Sequence, residues 1–341
     1  MRSSDVRCLI GVQAVTCVLV FLLLSCPEAG CARSTAPPVL HMVADVPLPG
    51  ATTRFDYQSY DPTAHRLYIS HMGDGALIVF DTLTRQVVAV IRGLPSCTGV
   101  RAVPALGRVF VSSPGLHAVA VYNSQTLQRI ALIHGPRFPD GIAWSPADDR
   151  VFVSDESGRA VWAIDAVHNR ILRRIPLDGE AGNTHYDSRQ HLVYTTNQTA
   201  NALEAIDPVR LAVKATYPLA IGRGSHGWLI DEKHQLAYIT CEDDASLLVF
   251  NLATHRIMAS YRVGAGPDVL RMDANLHRLY VACESGVVNI FRQAGDHLAE
   301  IGSLTVPAAH TVELDPNTGL VYLALKDIHG HAVLRILREV H

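Results

Sequence analysis

The sequence predicts an all-β fold made of seven repeated four-stranded units, and three observations support this prediction. A strand-like phrase with a central aromatic residue recurs seven times along the 341 residues. Further short apolar runs accompany each copy in a fixed order, without the helical period of 3.6 residues. Aromatic residues make up 6% of the chain and charged residues 18%. Stacked sheets with small and β-branched interiors have this kind of composition.

The repeat is centred on an aromatic anchor in a phrase such as HRLYIS or HRLYVA. Neighbouring anchors are 42 or 44 residues apart, and they are Tyr68, Phe110, Phe152, Tyr194, Tyr238, Tyr280 and Tyr322. Length alone would suggest about two domains. A constant period of this size is instead typical of a propeller or a solenoid, in which all copies belong to one fold.

Each copy contains four predicted strands. A short strand that ends near an Asp-Pro pair, as at Asp61, precedes the anchor strand. A polar loop and an apolar run such as residues 76–80 follow, and the run ends at an Asx residue such as Asp81 or Asn251. Asx side chains close tight turns by bonding to nearby backbone, so each predicts a hairpin into a fourth strand. Four strands in about 42 residues form a blade of a seven-bladed β-propeller.

The two ends of the repeat region complement each other. The seventh copy has only three strands before His341, while residues 39–48 form an extra strand before the first copy. If this N-terminal strand becomes the outer strand of the last blade, the ring closes and its sheet edges stay short and protected. The propeller is therefore predicted over residues 39–341.

The N-terminal segment is predicted to be an export signal over residues 1–32, followed by a proline-stiffened linker over residues 33–38. Arg2 and Arg7 precede an apolar run over residues 8–24. The sequence LLSC up to Cys26 suits a lipoprotein signal, GCA at 30–32 suits ordinary cleavage, and an uncleaved anchor is a third alternative. The expected location is the bacterial periplasm, the outer membrane as a lipoprotein, or the exterior. Membrane contact is expected only through this leader or its lipid.

Residues 139–146, PDGIAWSP, and residues 150–154, RVFVS, match two consensus phrases of a known family. On these phrases, residues 39–341 resemble the YVTN-repeat, or YncE-like, seven-bladed propellers. The resemblance implies the fold and export, and it implies no defined activity. Nucleic-acid binding is attributed to a family member, but this chain has 32 acidic and 29 basic side chains and no basic stretch. Phosphate binding needs clustered Lys and Arg, so nucleic acid is not an expected partner.

Propeller geometry turns equivalent positions on the inner strands into a ring around the channel mouth. The residues twelve positions before the anchors are Asp56, Thr98, Asp140, Gly182, His226, Asp268 and His310. His185 lies three residues after Gly182 and is expected to lean into the same space. The loops after the anchor strands carry Glu156, Glu242 and Glu284 and predict a negative rim around this ring. The candidate ligand-binding residues are Asp56, Asp140, His185, His226, Asp268 and His310.

Two neutral imidazoles with carboxylates suit Zn²⁺, Mn²⁺ or an Fe²⁺-type ion, whereas an all-oxygen set suits Ca²⁺. His226, Asp268 and His310 come from three consecutive blades and are the metal-ligand candidates. The structural alternative is that short polar residues at strand starts cap the loop backbone.

These observations predict an exported, monomeric propeller whose channel mouth binds a small polar ligand, a divalent metal or a protein partner from the envelope. One alternative is a metal-dependent hydrolase or lyase, lactonase-like, that uses the same Asp and His residues. A second alternative is a cell-envelope scaffold. No residue can be singled out as a nucleophile, so catalytic residues are not assigned.

Overall fold

Residues 39–340 are described by the computed structural model, and they fold into seven antiparallel sheets of four strands each. The sheets are the blades of a β-propeller, as the sequence predicts. The predicted signal and linker lie outside the described residues. None of the described residues belongs to a helix that is long and apolar enough to cross a membrane.

The first half of the described chain contributes an N-terminal strand and three blades. Its strands are β1 (Leu40–Pro47), β2 (Gln58–Asp61), β3 (Arg66–His71), β4 (Ala76–Asp81), β5 (Gln86–Arg92), β6 (Val100–Val103), β7 (Arg108–Ser113), β8 (Ala118–Asn123), β9 (Arg129–His134), β10 (Pro139–Ser145), β11 (Arg150–Asp155), β12 (Ala160–Asp165) and β13 (Arg170–Pro176). Short 3₁₀ turns occupy Met72–Asp74, Pro104–Leu106 and Pro114–Leu116.

The second half contributes the other four blades. Its strands are β14 (Ala181–Asp187), β15 (Leu192–Asn197), β16 (Ala202–Asp207), β17 (Ala212–Pro218), β18 (Ser225–Asp231), β19 (Leu236–Cys241), β20 (Ser246–Asn251), β21 (Arg256–Arg262), β22 (Pro267–Asp273), β23 (Arg278–Cys283), β24 (Val287–Ala294), β25 (His297–Thr305), β26 (Glu313–Asp315), β27 (Leu320–Ile328) and β28 (His331–Glu339).

Burial within each blade follows from its position between two neighbours. All seven aromatic anchors lie on the second strand of a blade and have 0% of their surface exposed. The third strands are similarly buried, because adjacent blades cover both of their faces. The fourth strand lies at the rim, and in β21 half-buried residues alternate with exposed ones.

The turns form where the sequence predicts them. The Asp81 carboxylate accepts hydrogen bonds of 3.0 and 2.7 Å from the backbone amides of Leu83 and Thr84, which closes the hairpin into β5. The residue three positions before each anchor turns the chain from the first strand into the second. Histidine fills this position at His65, His191 and His277 with φ of +52° or +53°, so these histidines serve in turns at the face opposite the channel mouth.

The ring closes as the sequence predicts. β1 pairs antiparallel with β28, from Leu40 opposite Glu339 to Pro47 opposite Val333, so the last blade combines the two ends of the described chain. The Arg335 guanidinium donates hydrogen bonds of 2.8 and 2.6 Å to the two carboxylate oxygens of Asp45 across this pair.

Glu339 on β28 gives the closing blade a pH-dependent stability. It accepts a hydrogen bond from the Tyr280 hydroxyl of the neighbouring blade, and burial raises the pKa of Glu339 from about 4.5 to about 7. Between pH 4.5 and about pH 7, Glu339 keeps its proton in the folded state but loses it in the unfolded state. The free energy of unfolding should therefore fall as pH rises through this window.

We expect the Glu339→Gln variant to lose this part of the pH dependence, as measured by urea unfolding from acidic to mildly alkaline pH. Glu300→Gln, at an exposed position on β25, is the matched control and should keep the wild-type slope. A Glu339→Gln protein with the wild-type slope would contradict the assignment.

Candidate functional site

The channel mouth is built by the starts of the inner strands. Asp140, Gly182, His226 and Asp268 are the second residues of β10, β14, β18 and β22, while Asp56, Thr98 and His310 lie in the loops before β2, β6 and β26. The pairing of β18 with β19 shifts register between Ser225 and Trp228, and β10, β14 and β22 shift at the equivalent place. Irregularities of this kind bend a strand and redirect its side chains.

Glycines let neighbouring inner strands approach each other closely at this level. A Cβ atom on Gly227 would lie 1.6 Å from the carbonyl oxygen of Asp268, and one on Gly99 would lie 2.0 Å from that of Asp140. Any side chain at either position would collide with the backbone of the next blade. The first blade has Tyr57 at the equivalent position, and this residue lines two cavities of the channel, one at the mouth and one deeper.

The mouth contains a cavity of about 170 Å³ with a strongly acidic lining. Three carboxylates come from the predicted ring and three from the loops after the anchor strands: Asp56, Asp140, Asp268, Glu156, Glu242 and Glu284. The cationic side chains in the lining are Arg54 and His226. The predicted negative rim is therefore part of the cavity wall, and carboxylates outnumber cations six to two.

Asp268 belongs to two groups of three potential metal ligands. Asp56, Asp268 and His310 form one group, and His226, Glu242 and Asp268 form the other; within each group the ligand atoms lie within 4.8 Å of one another. The predicted ligands His226 and His310 therefore lie on different sides of Asp268. Glu242 was assigned to the rim from sequence, whereas the structure places its carboxylate among the potential ligands.

The carboxylates of the ring share an environment that disfavours their charged forms. Asp268 is 2% exposed and Asp140 is 4% exposed. Burial raises the pKa of Asp268 to about 7, with a further contribution from Glu242. Burial and the charges of Asp140 and Asp268 also raise the pKa of Asp56 well above its usual range. Such an environment favours neutralisation by protons or by a bound cation.

His226 is the cationic partner of this group. Its Nε2 lies 3.7 Å from Asp140 Oδ2 and 3.8 Å from Asp268 Oδ1, and the Gln198 amide lies 2.8 Å from its Nδ1. Burial disfavours the charged imidazolium, but the surrounding carboxylates, Asp268 first, outweigh it and raise the pKa of His226 to about 9.

His310 has the opposite character. It is 6% exposed, and burial together with the nearby Arg54 lowers the pKa of His310 to about 4. Its ring is therefore neutral at pH 7. Neither Nε2 of His310 nor Oδ1 of Asp268 has a hydrogen-bond partner among residues 39–340. Buried polar atoms are rarely left without a partner, and these two atoms are available to ligate an ion.

Arg54 bridges the two sides of the mouth. Its Nη1 lies 2.5 Å from Glu284 Oε1, and its Nη2 lies 3.8 Å from Asp268 Oδ2. The ring pattern in the sequence does not include Arg54. Its position two residues before Asp56 would have been a usable signal, because residues just outside the ring also face the mouth.

His185 does not share the channel-mouth cavity. Three residues of extended strand span about 10 Å, so His185 lies deeper, where it lines a second cavity of about 610 Å³. Its ring packs edge-on against Trp228 with the ring centroids 4.8 Å apart. Tyr57 and Asp268 line both cavities.

The thiols of Cys97, Cys241 and Cys283 are free and buried. Burial raises the pKa of each to about 12. None of them lines the mouth cavity.

No protein-family model matches the chain. No curated protein matches it either. Among solved structures, the chain is similar to one of Kuenenia stuttgartiensis hydrazine synthase, with 15% identity and a TM-score of 0.73, over 86% of this chain and 96% of that one. It is also similar to a chain in a crystal structure of the mitotic checkpoint complex, with 13% identity and a TM-score of 0.75, over 96% of this chain and 99% of that one. At these identities the likeness concerns the fold alone, and the fold is that of a seven-bladed β-propeller.

Proposed function

We propose that this protein is an exported propeller of the YVTN-repeat, YncE-like kind that binds a divalent metal ion at its channel mouth. The observation that carries the proposal is the Asp268 carboxylate. It is almost fully buried, has one oxygen without a hydrogen-bond partner in the described chain, and belongs to both groups of potential ligands.

The donor set indicates the class of metal. Each group combines one imidazole with two carboxylates, and nitrogen together with oxygen donors suits Zn²⁺, Mn²⁺ or Fe²⁺ better than Ca²⁺. In the group of Asp56, Asp268 and His310 the imidazole is already neutral at pH 7, because burial keeps its pKa low. A neutral imidazole with a free Nε2 is ready to ligate a metal without first losing a proton.

Charge supports a cation in general. Six carboxylates and two cationic side chains surround the cavity, and a bound divalent ion would offset much of the mutual repulsion among the buried aspartates. Arg54 is about half exposed, so its side chain has room to move away from Asp268 when an ion arrives.

The direct test is a titration of EDTA-treated protein with Zn²⁺, Mn²⁺ and Ca²⁺, followed by calorimetry and by the rise in melting temperature. We expect one site per chain, with Zn²⁺ and Mn²⁺ bound more tightly than Ca²⁺. His310→Ala and His226→Ala separate the two groups, because the variant that loses affinity identifies the imidazole that holds the ion. His255→Ala, away from the cavity and stacked on Tyr217, is the matched control. Absence of binding and of stabilisation with every metal would refute the proposal.

Export is proposed from the N-terminal sequence features alone. Cell fractionation together with mass spectrometry of the mature N-terminus would test it. An N-terminus at Cys26 with a lipid would support the lipoprotein signal, and one after residue 32 would support ordinary cleavage.

A further inference from the structure

The second cavity of the channel has a different chemistry from the mouth. The residues nine positions before the anchors lie three residues deeper than the mouth ring, and they include Arg101, His185, Arg271 and Glu313. All four line the cavity of about 610 Å³. The mouth is acidic, whereas this deeper level carries two guanidinium groups.

One of the two guanidinium groups is neutralised within the fold. Arg271 donates from Nε to Glu313 Oε1 at 2.8 Å and from Nη2 to Glu313 Oε2 at 3.0 Å. Its Nη2 also donates to the carbonyl oxygen of Gln58 at 3.2 Å. Both oxygens of Glu313 therefore accept hydrogen bonds from Arg271.

Arg101 lacks such a partner. It forms no ion pair and no side-chain hydrogen bond with residues 39–340, and its side chain is exposed to the cavity that it lines. The guanidinium faces the cavity, so a small molecule can reach it. Burial, together with the charge of Arg271, lowers the pKa of Arg101, and the charge of Glu313 opposes this shift. An arginine side chain that lines a cavity and forms no ion pair of its own favours the binding of an anion.

The other groups around the cavity fit an anionic ligand with an organic body. His185 is half-buried, and burial with the charges of Arg271 and Arg101 lowers its pKa to about 3, so its ring is a neutral hydrogen-bonding group. Trp228 supplies an aromatic wall whose Nε1 donates to the carbonyl oxygen of Asn183 at 2.7 Å. Glu232 also lines the cavity, but its carboxylate accepts hydrogen bonds from Ser188. The cavity volume lies within the range of about 300–1,000 Å³ that is usual for small-molecule sites.

We propose that this second cavity binds a small organic anion whose carboxylate or phosphate group pairs with the Arg101 guanidinium beside His185. The anion would pair with Arg101 beside His185, and neither residue is a potential metal ligand, so the proposal does not depend on the metal. Asp268 lines both cavities. The acidic mouth would repel the same anion, so its access is from the opposite end of the channel.

The experiment uses the full purified chain in EDTA, so that no metal contributes. Phenylglyoxal modifies accessible guanidinium groups, and peptide mass spectrometry measures its reaction at Arg101 in the presence of succinate, inorganic phosphate or chloride at equal ionic strength. We expect Arg101 to react faster than the paired Arg271, and we expect succinate or phosphate to slow its reaction while chloride does not. The protecting anion identifies whether a carboxylate or a phosphate is preferred.

Calorimetry with the protecting anion gives the second readout. Arg101→Gln should weaken binding by about tenfold to a hundredfold, since hydrogen bonds to charged groups have effects of this size, and Arg101→Lys should weaken it less. Arg189→Gln, an exposed arginine, is the matched control and should bind as wild type does. If neither anion protects Arg101, or if Arg101→Gln binds as tightly as wild type, the proposal is wrong, and the metal titration is unaffected by that result.

Discussion

Replacing Asp268 with asparagine should lower the affinity for the metal by at least about a hundredfold. Loss of a group that merely supports a ligand costs about ten- to a hundredfold, and Asp268 is a potential ligand in both groups. Asparagine keeps the size of the side chain but removes the charge and one anionic oxygen. The metal titration described above measures the loss, and Zn²⁺ and Mn²⁺ should both be affected.

Asp140→Asn is the matched control for this substitution. Asp140 has the same position in its blade and is similarly buried, but it belongs to neither group of ligands. We expect a loss of affinity clearly smaller than that of Asp268→Asn, because Asp140 contributes charge to the cavity wall but is not a potential ligand. Without metal, the Asp268→Asn protein should unfold at a temperature no lower than wild type above pH 7, because its surroundings already disfavour the charged carboxylate. Wild-type metal affinity in Asp268→Asn would place the metal elsewhere.

Deletion of residues 39–48 should destabilise the propeller by an amount comparable with its whole net stability. β1 is the outer strand of the closing blade, and the leucines at its ends, Leu40 and Leu48, are 7% and 6% exposed. Burial of one leucine side chain contributes about 1.5–3 kcal/mol, and deletion also exposes the edge of β28 to aggregation. The total is on the order of 5 kcal/mol, near the lower end of the usual range of about 5–15 kcal/mol.

Urea unfolding and light scattering would measure this effect. A synthetic peptide of residues 39–48 added to the deleted protein should restore part of the lost stability, and a scrambled peptide should not. A deleted protein that unfolds at the wild-type urea concentration would show that β1 is dispensable for closure.

The sequence was sufficient to predict the fold, because each blade repeats the same local signals. The period between anchors such as Tyr68 and Tyr280 predicts the number of blades, and the Asx turns predict the order of the strands. The missing fourth strand of the last copy predicts the pairing of β1 with β28, which the structure confirms. These features depend on a pattern of apolar and turn residues, and this pattern recurs in all seven copies.

The details of the site depend on the length and direction of individual side chains, which the repeat pattern does not predict. Register places Asp56, Asp140, His226, Asp268 and His310 around one opening, and they do lie around it. Register cannot show that the longer Glu242 side chain extends from a neighbouring loop into the same space. It also cannot show that His185, three residues further along its strand, lines the second cavity and not the mouth.

The position one residue after the mouth ring differs from blade to blade. It is Tyr57, Gly99, Gly141, Asn183, Gly227, Val269 and Thr311. The blades with Gly99 and Gly227 have no side chain at this position, whereas the first blade has the Tyr57 side chain. Tyr57 is the largest side chain at this position, and it lines both cavities. A consensus of the seven copies would not contain Tyr57.

The pairing of β1 with β28 also bears on the order of events when the chain is made. Leu40, among the earliest described residues to be synthesised, pairs with Glu339, among the last. The hairpins within the first six blades join residues near in sequence and can form early, whereas closure must wait until almost the whole chain is available. A translation product that stops before β28 would therefore hold several blades but no closed ring, and its first strand would have no partner.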